Sequence, residues 1–131
     1  MDYYLSYTNC LERLLEEYKK YGKLIIAYDF DDTVNNYHKK EDRNYDNVIS
    51  LLQECKKRDI GKFICLTASK EERYKEITEY LDNNNIPVDK INTGFEGMPN
   101  GNEKPYYNIL LDDRAGLITS YKLLTDLLKI I

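Results

Sequence analysis

The segment Leu24-Ile25-Ile26-Ala27-Tyr28 is apolar for the length of a strand and then breaks into Asp29, Asp31 and Asp32. A run of this kind reads as a buried parallel strand, and in open α/β sheets ligands sit just beyond the carboxyl ends of the strands. Asp29 and Asp31 are two residues apart, so on an extended strand they would share a face. Here the chain is leaving the strand, which lets them converge on one point. Like charges that close raise each other's pKa unless a cation or a proton lies between them.

Two further runs end in the same way. Tyr106-Tyr107-Asn108-Ile109-Leu110-Leu111 stops at Asp112-Asp113-Arg114, and Gly61-Lys62-Phe63-Ile64-Cys65-Leu66 stops at Thr67-Ala68-Ser69. Laid parallel in one sheet, the three ends gather four or five carboxylates and a hydroxyl at one edge. Burying that many acids without a counter-charge is costly, so a divalent cation is expected among them. Ligands that are all oxygen favour Mg²⁺ over zinc or copper.

A chain of 131 residues supports one core, so residues 1–131 are expected to form a single domain, an N-terminal helix in 1–22 followed by a core in 23–131. No segment reaches the roughly 18 consecutive apolar residues of a membrane helix, and the first residues lack a signal-peptide pattern. Cys10, Cys55 and Cys65 are widely spaced and form no Cys-x-x-Cys pair. They read as reduced thiols of a cytoplasmic protein rather than a disulfide frame or zinc site. A catalytic cysteine would need a histidine, and the one histidine, His38, lies in a polar stretch and reads as a solvated loop residue. The net charge of −4 argues against stable non-specific binding to nucleic acid, which Lys and Arg drive, and does not exclude a nucleic-acid end as a transient substrate. Tyr is abundant at 13 copies and Trp absent, which fits an AT-rich coding bias better than a set of base-stacking platforms.

Asn9 could cap a helix over 10–21, with Leu11, Leu14, Leu15 and Tyr18 as its apolar stripe and Gly22 as its stop. A strand over 23–28, a short polar loop over 35–44, a helix over 45–58 and a strand over 61–66 follow. Thr67 or Ser69 could cap the next helix, with Glu71 and Glu72 in its first turn, and Asn83-Asn84-Asn85 ends it. The Lys/Glu run 70–79 reads as a solvated helix face. Residues 86–91 form a strand candidate that Pro87 confines to an edge. Residues 92–104, with three glycines and a proline, read as a loop, and 115–131 as a closing amphipathic helix. This alternation predicts an α/β fold: a parallel sheet with helices on both faces.

Taken in order, Asp29-Phe30-Asp31-Asp32-Thr33-Val34, Thr67 and Asp112-Asp113 resemble the haloacid dehalogenase (HAD) superfamily of phosphohydrolases, over about residues 23–128. Residues 104–117 are similar to small capless HAD proteins of bacteria and phages. The Asp112-Asp113-Arg114 element is also similar, over a short match, to the phosphatase domain of polynucleotide kinase/phosphatases. The resemblance implies a Rossmann-like three-layer domain without a cap, about four strands in the order 3-2-1-4, and Mg²⁺ as cofactor. It implies an enzyme that hydrolyses a phosphate monoester through an aspartyl-phosphate.

Carried over by position, Asp29 is the nucleophile and Asp31 the acid that protonates the leaving alcohol and later activates water. Thr67 and the neighbouring Ala68 hold the phosphoryl oxygens, Thr33 braces the loop after the first strand, and Asp113 with its companion Asp112 ligates Mg²⁺ alongside Asp29 and the Asp31 carbonyl. Asp32 stands where the family has glycine and reads as a turn residue. Arg114 lies at a helix start, the wrong end for a cation by the dipole argument, so it either pairs with an acid or touches substrate. The family's remaining lysine has two matches here. Lys104 fits the small phage-type sequences, but from the start of a strand over 106–111 it would lie roughly 20 Å from the carboxylates at ~3.3 Å per residue. Lys70, just past Thr67, is at the correct edge, and Lys90 is a further option.

The expected substrate is a nucleotide, a nucleic-acid end or a phosphoprotein, since little would cover the site. The alternative is a phosphate- and metal-binding module that has lost turnover. A receiver-type signalling domain also carries acids after its first strand, but it needs a phosphoacceptor Asp where this chain has Thr67.

Overall fold

The first helix starts earlier than its apolar stripe implies. In the computed structural model, which describes residues 1–98 and 104–131, α1 spans Tyr7–Tyr21. Ser6 rather than Asn9 caps it, its Oγ accepting from the Asn9 N–H at 3.3 Å, while the Asn9 side chain donates back to the Tyr3 carbonyl. The earlier start adds Tyr7 to the residues packed on the core. Gly22 ends the helix at φ 79°, a conformation that a Cβ disfavours.

The strands are β1 (Leu24–Asp29), β2 (Gly61–Leu66), β3 (Lys90–Ile91) and β4 (Ile109–Leu111). They form one sheet in the order β3-β2-β1-β4, every pairing parallel. This is the α/β class and strand order expected. Between the strands lie α2 (Asp46–Lys57) and α3 (Tyr74–Asn83), and α4 (Leu117–Ile130) closes the chain. No helix among the described residues is long and apolar enough to cross a membrane.

The edges of the sheet are shorter in backbone than the apolar runs suggest, because side chains continue the ladder. Pro87 has no N–H to give, so β3 pairs only at its end. Just before it, the Asp89 carboxylate accepts from the Phe63 N–H at 2.8 Å. Just after it, Asn92 bonds both the N–H and the carbonyl of Thr67. At the start of β4, Asn108 Oδ1 accepts from the Ile25 N–H at 2.7 Å in place of a backbone carbonyl.

The two faces of the sheet differ. Leu24, Ile26 and Tyr28 alternate with Ile25 and Ala27 along β1, as the strand period requires. The first set packs with buried residues of all four helices, including Leu14, Leu52, Ile77 and Leu124. The second set, with Ile64, packs against Phe95, Met98, Tyr106 and Tyr107. Helices were expected on both faces; the second face is covered instead by the connection from β3 to β4. Its glycines and prolines disfavour a helix, so isolated aromatic side chains supply the apolar cover. Residues 99–103 of the expected loop 92–104 lie outside the described residues.

Tyr28 is fully buried and donates its hydroxyl to the Pro87 carbonyl at 2.8 Å, tying the central strand to the approach of the edge strand. Burial holds that phenol well above its ordinary pKa, so it stays a neutral donor.

Candidate active site

Parallel register brings the strand tips together. Asp29 pairs with Leu66, whose successor is Thr67, and Tyr28 pairs with Leu111, whose successors are Asp112 and Asp113. A cavity of about 330 Å³ opens at this edge, with Asp29, Asp31, Thr67, Asp112 and Asp113 in its wall. Ala68 and Arg114 also line it.

One carboxylate oxygen from each of Asp29, Asp112 and Asp113 falls within 4.8 Å of the other two. Asp29 is pushed up to about 7, first by burial, then by the charge of Asp112, a side-chain hydrogen bond with Asp113, and the charges of Asp113 and Asp31. A cation placed among the three oxygens would reverse the charge effects. The donor set is hard oxygen throughout, as Mg²⁺ requires. The Asp31 carboxylate stands outside this triplet. It accepts from Asn35 Nδ2 at 3.1 Å and lies 3.6 Å from the Arg73 guanidinium.

Thr33 locks the first loop to the last strand. Its fully buried hydroxyl donates to Asp113 Oδ1 at 3.2 Å and accepts from the Asp113 N–H at 3.1 Å. Thr33→Val keeps the shape and leaves two groups of Asp113 without that partner. It is expected to lower unfolding stability by about 1–3 kcal/mol, read as a shift of the urea midpoint at unchanged m-value.

Thr67 is held by Asn92, whose positive φ of 58° turns its side chain back along the strand end. Asn92 is in turn fixed by Tyr74 Oη at 2.7 Å. The Thr67 hydroxyl accepts from the Ser69 N–H, which leaves its proton to donate into the cavity. Neither Thr67 nor Ser69 caps the next helix. The chain instead makes a 3-10 turn, Glu71–Arg73, before α3.

That turn brings Arg73 beside Asp31, outside the lining of the cavity. Nη1 donates to Ser69 Oγ at 2.7 Å, the guanidinium carbon lies 5.8 Å from the Phe30 ring centroid, and the group faces Asp31. Arg73 belongs to the run read as a solvated helix face, and only the 3-10 turn reveals it. Lys70 and Lys104 are exposed and do not line the cavity. Lys90 lies 5.9 Å from the Phe95 ring, on the face away from the helices.

Asp32 is a turn residue at φ 63°, and its carboxylate also organises the following loop. Oδ1 accepts from Tyr45 Oη at 3.1 Å, and Oδ2 lies 2.9 Å from His38 Nδ1. His38 therefore borders the site together with Tyr37. Arg114 forms no ion pair among the described residues and borders the cavity, its backbone N–H donating to Asp112 Oδ1 at 2.9 Å.

All three cysteines are free. Cys65 lies in the core beneath the site, its thiol pushed up to about 12 by burial and by Asp29 and Asp31. It is no nucleophile near neutral pH. A larger cavity of about 530 Å³ lies at the opposite end of the strands, among Ile25, Lys62, Phe95 and Tyr106. It gathers no group of acids, so size alone does not mark the chemistry.

No family model matches the chain, and no curated protein matches it. A solved structure described as the conserved protein coded by locus from Bacteroides thetaiotaomicron matches at a TM-score of 0.63 and 17% identity. The alignment covers 82% of this chain and 91% of that one. What the two share at that identity is the fold.

Proposed function

We propose that this chain is a Mg²⁺-dependent phosphohydrolase of the HAD type, which cleaves a phosphate monoester through an aspartyl-phosphate. The observation that carries the reading is the triplet of Asp29, Asp112 and Asp113 oxygens within 4.8 Å, at the edge where Thr67 also emerges.

Bound there, Mg²⁺ would neutralise the triplet and the phosphoryl oxygens. Asp29 attacks phosphorus with the oxygen turned to the cavity, forming the Asp29–phosphorus bond as the bond to the leaving alcohol breaks. Asp31 gives that alcohol its proton. Asp31 then takes a proton from water, which attacks the aspartyl-phosphate and releases phosphate and free Asp29. The Asn35 and Arg73 contacts hold the Asp31 carboxyl in place for both transfers. Thr67 donates to a phosphoryl oxygen.

Arg73 acts through Asp31, which it faces at 3.6 Å, and Arg114 rather than Lys104 or Lys70 is the basic residue in the wall of the cavity. Arg73→Ala is expected to lower kcat/KM by about 10²-fold, with Arg73→Lys recovering only part of the loss. Steady-state kinetics on an aryl phosphate in Mg²⁺ checks this. Equal rates for Arg73→Ala and wild type would remove Arg73 from the mechanism. The test of the whole reading is Mg²⁺-dependent turnover across a panel of phosphate esters (nucleotides, nucleic-acid 3′ and 5′ ends, phosphopeptides and aryl phosphates), with Asp29→Asn as the control.

A further inference from the structure

We infer that the loop leaving β1 builds a leaving-group subsite, in which Tyr37 and His38 receive a flat, uncharged aromatic ring carried by a small phosphate monoester. This rests on the phosphohydrolase reading and names its substrate class.

Three observations meet here. Tyr37 is 54% exposed although it borders a cavity walled by carboxylates, so an apolar ring stands unused beside the place where a leaving group departs. The loop that carries it is braced by hydrogen bonds of its own. Asn36 Nδ2 donates to the Lys40 carbonyl at 2.7 Å and to the Arg43 carbonyl at 3.3 Å, the Lys40 N–H donates back to Asn36 Oδ1, and the Tyr37 N–H donates to the Asn35 carbonyl. The His38 ring, anchored on Asp32, meets Tyr37 at 5.2 Å and 86°, which sets the plane of the tyrosine. A ring arriving there finds a platform whose ordering is already complete.

Charge and size narrow the guest. Five acids, Asp29, Asp31, Asp32, Asp112 and Asp113, face the cavity against Arg114 and His38. With Mg²⁺ on the triplet and Arg73 facing Asp31, Asp32 is the acid left beside this loop; further phosphates on the leaving group would meet it, whereas a neutral ring does not. The volume of about 330 Å³ sits at the small end of ligand sites and suits one phosphoryl group and one ring.

Phosphonates test this on the wild-type protein, because their carbon–phosphorus bond survives any phosphohydrolase. Calorimetry in Mg²⁺ compares benzylphosphonate, the phosphonate isostere of adenosine 5′-monophosphate, and ring-free ethylphosphonate. At least one ring-bearing probe is expected to bind about tenfold more tightly than ethylphosphonate. Whichever of the two does so tells whether the ring joins the phosphate directly or through a sugar. Tyr37→Ala is expected to bring the ratio near one, and Tyr37→Phe to preserve it. Equal affinities in wild type, a ratio that survives Tyr37→Ala, or no binding of any probe overturns the subsite. Tyr37-dependent ring binding without turnover of the matching esters would instead refute the phosphohydrolase reading and leave the subsite standing.

Discussion

Replacing Asp29 with Asn is expected to lower kcat by about 10⁴-fold or more while leaving the fold intact. Removing a covalent nucleophile abolishes the two-step route altogether, and losses of about 10⁴–10⁶ are typical when such a group is deleted. Asn matches Asp in shape but cannot form the acyl-phosphate bond. Loss of folding is not a competing explanation, because Asp29 ionises against its surroundings: burial and Asp112 push it up to about 7. Without metal at pH 8, the neutral amide removes a charge the folded state disfavours, so the variant should melt no lower than wild type. Acid-quenched wild type should carry phosphate on the peptide containing Asp29, and the variant should carry none. Mass spectrometry of the quenched digest decides this, together with phosphate release under single turnover. Equal phosphate release from both proteins would remove Asp29 from the mechanism. No release from wild type on any ester, alongside intact Mg²⁺ binding, would favour the phosphate- and metal-binding module that does not turn over.

The tips of the strands were legible because each follows an unbroken apolar run. Asp29, Thr67 and Asp112 mark the points where such runs stop, and parallel pairing brings those points together. The edge strands were overestimated for a physical reason: Asp89, Asn92 and Asn108 continue the ladder with side chains, so the apolar stretches outlast the backbone pairing. Arg73 was hidden because a Lys/Glu-rich run has no face that distinguishes it. Its direction comes from a 3-10 turn set by tertiary packing, with Phe30 beneath and Ser69 beside it. Tyr37 and His38 were hidden differently, since nothing in a polar loop says which way it folds back. The signal that could have found them is Asp32, an acid in a position that demands positive φ and is filled more cheaply by glycine. Helices on both faces were expected from the strand–helix alternation, although the connection 92–104 itself reads as a loop; its glycines and proline leave the second face to side chains such as Phe95 and Tyr106.

Without metal, thermal stability is expected to fall as the pH rises from 4 to 7, and Mg²⁺ to reverse the fall. The unfolded Asp29 ionises near 3.8, the folded one only near 7. Between those values the native state holds a proton the unfolded chain has released, so each step up in pH favours unfolding. Above pH 7 both states are ionised and the decline levels off. Asp59 and Asp126 act with the opposite sign, lowered chiefly by their hydrogen bonds to Lys23 and Tyr7, but their contribution is lost below the ordinary carboxylate pKa and lies outside this window. Mg²⁺ binding must expel the Asp29 proton below pH 7, so its affinity should weaken there by up to ~10-fold per unit. At pH 8 and a hundredfold excess over Kd, mass action contributes about 2.7 kcal/mol, or about 10 °C in Tm for a domain of this size. Asp112→Asn removes the largest charge acting on Asp29 and one oxygen of the triplet. It should therefore flatten the metal-free pH profile and shrink the Mg²⁺ shift together. Differential scanning calorimetry of both proteins from pH 4 to 8, with Mg²⁺ and with chelator, tests the pair of effects. A Mg²⁺ shift of the same size in Asp112→Asn would mean the ion binds elsewhere on the chain, and the phosphoryl chemistry built on this triplet would lose its counter-charge.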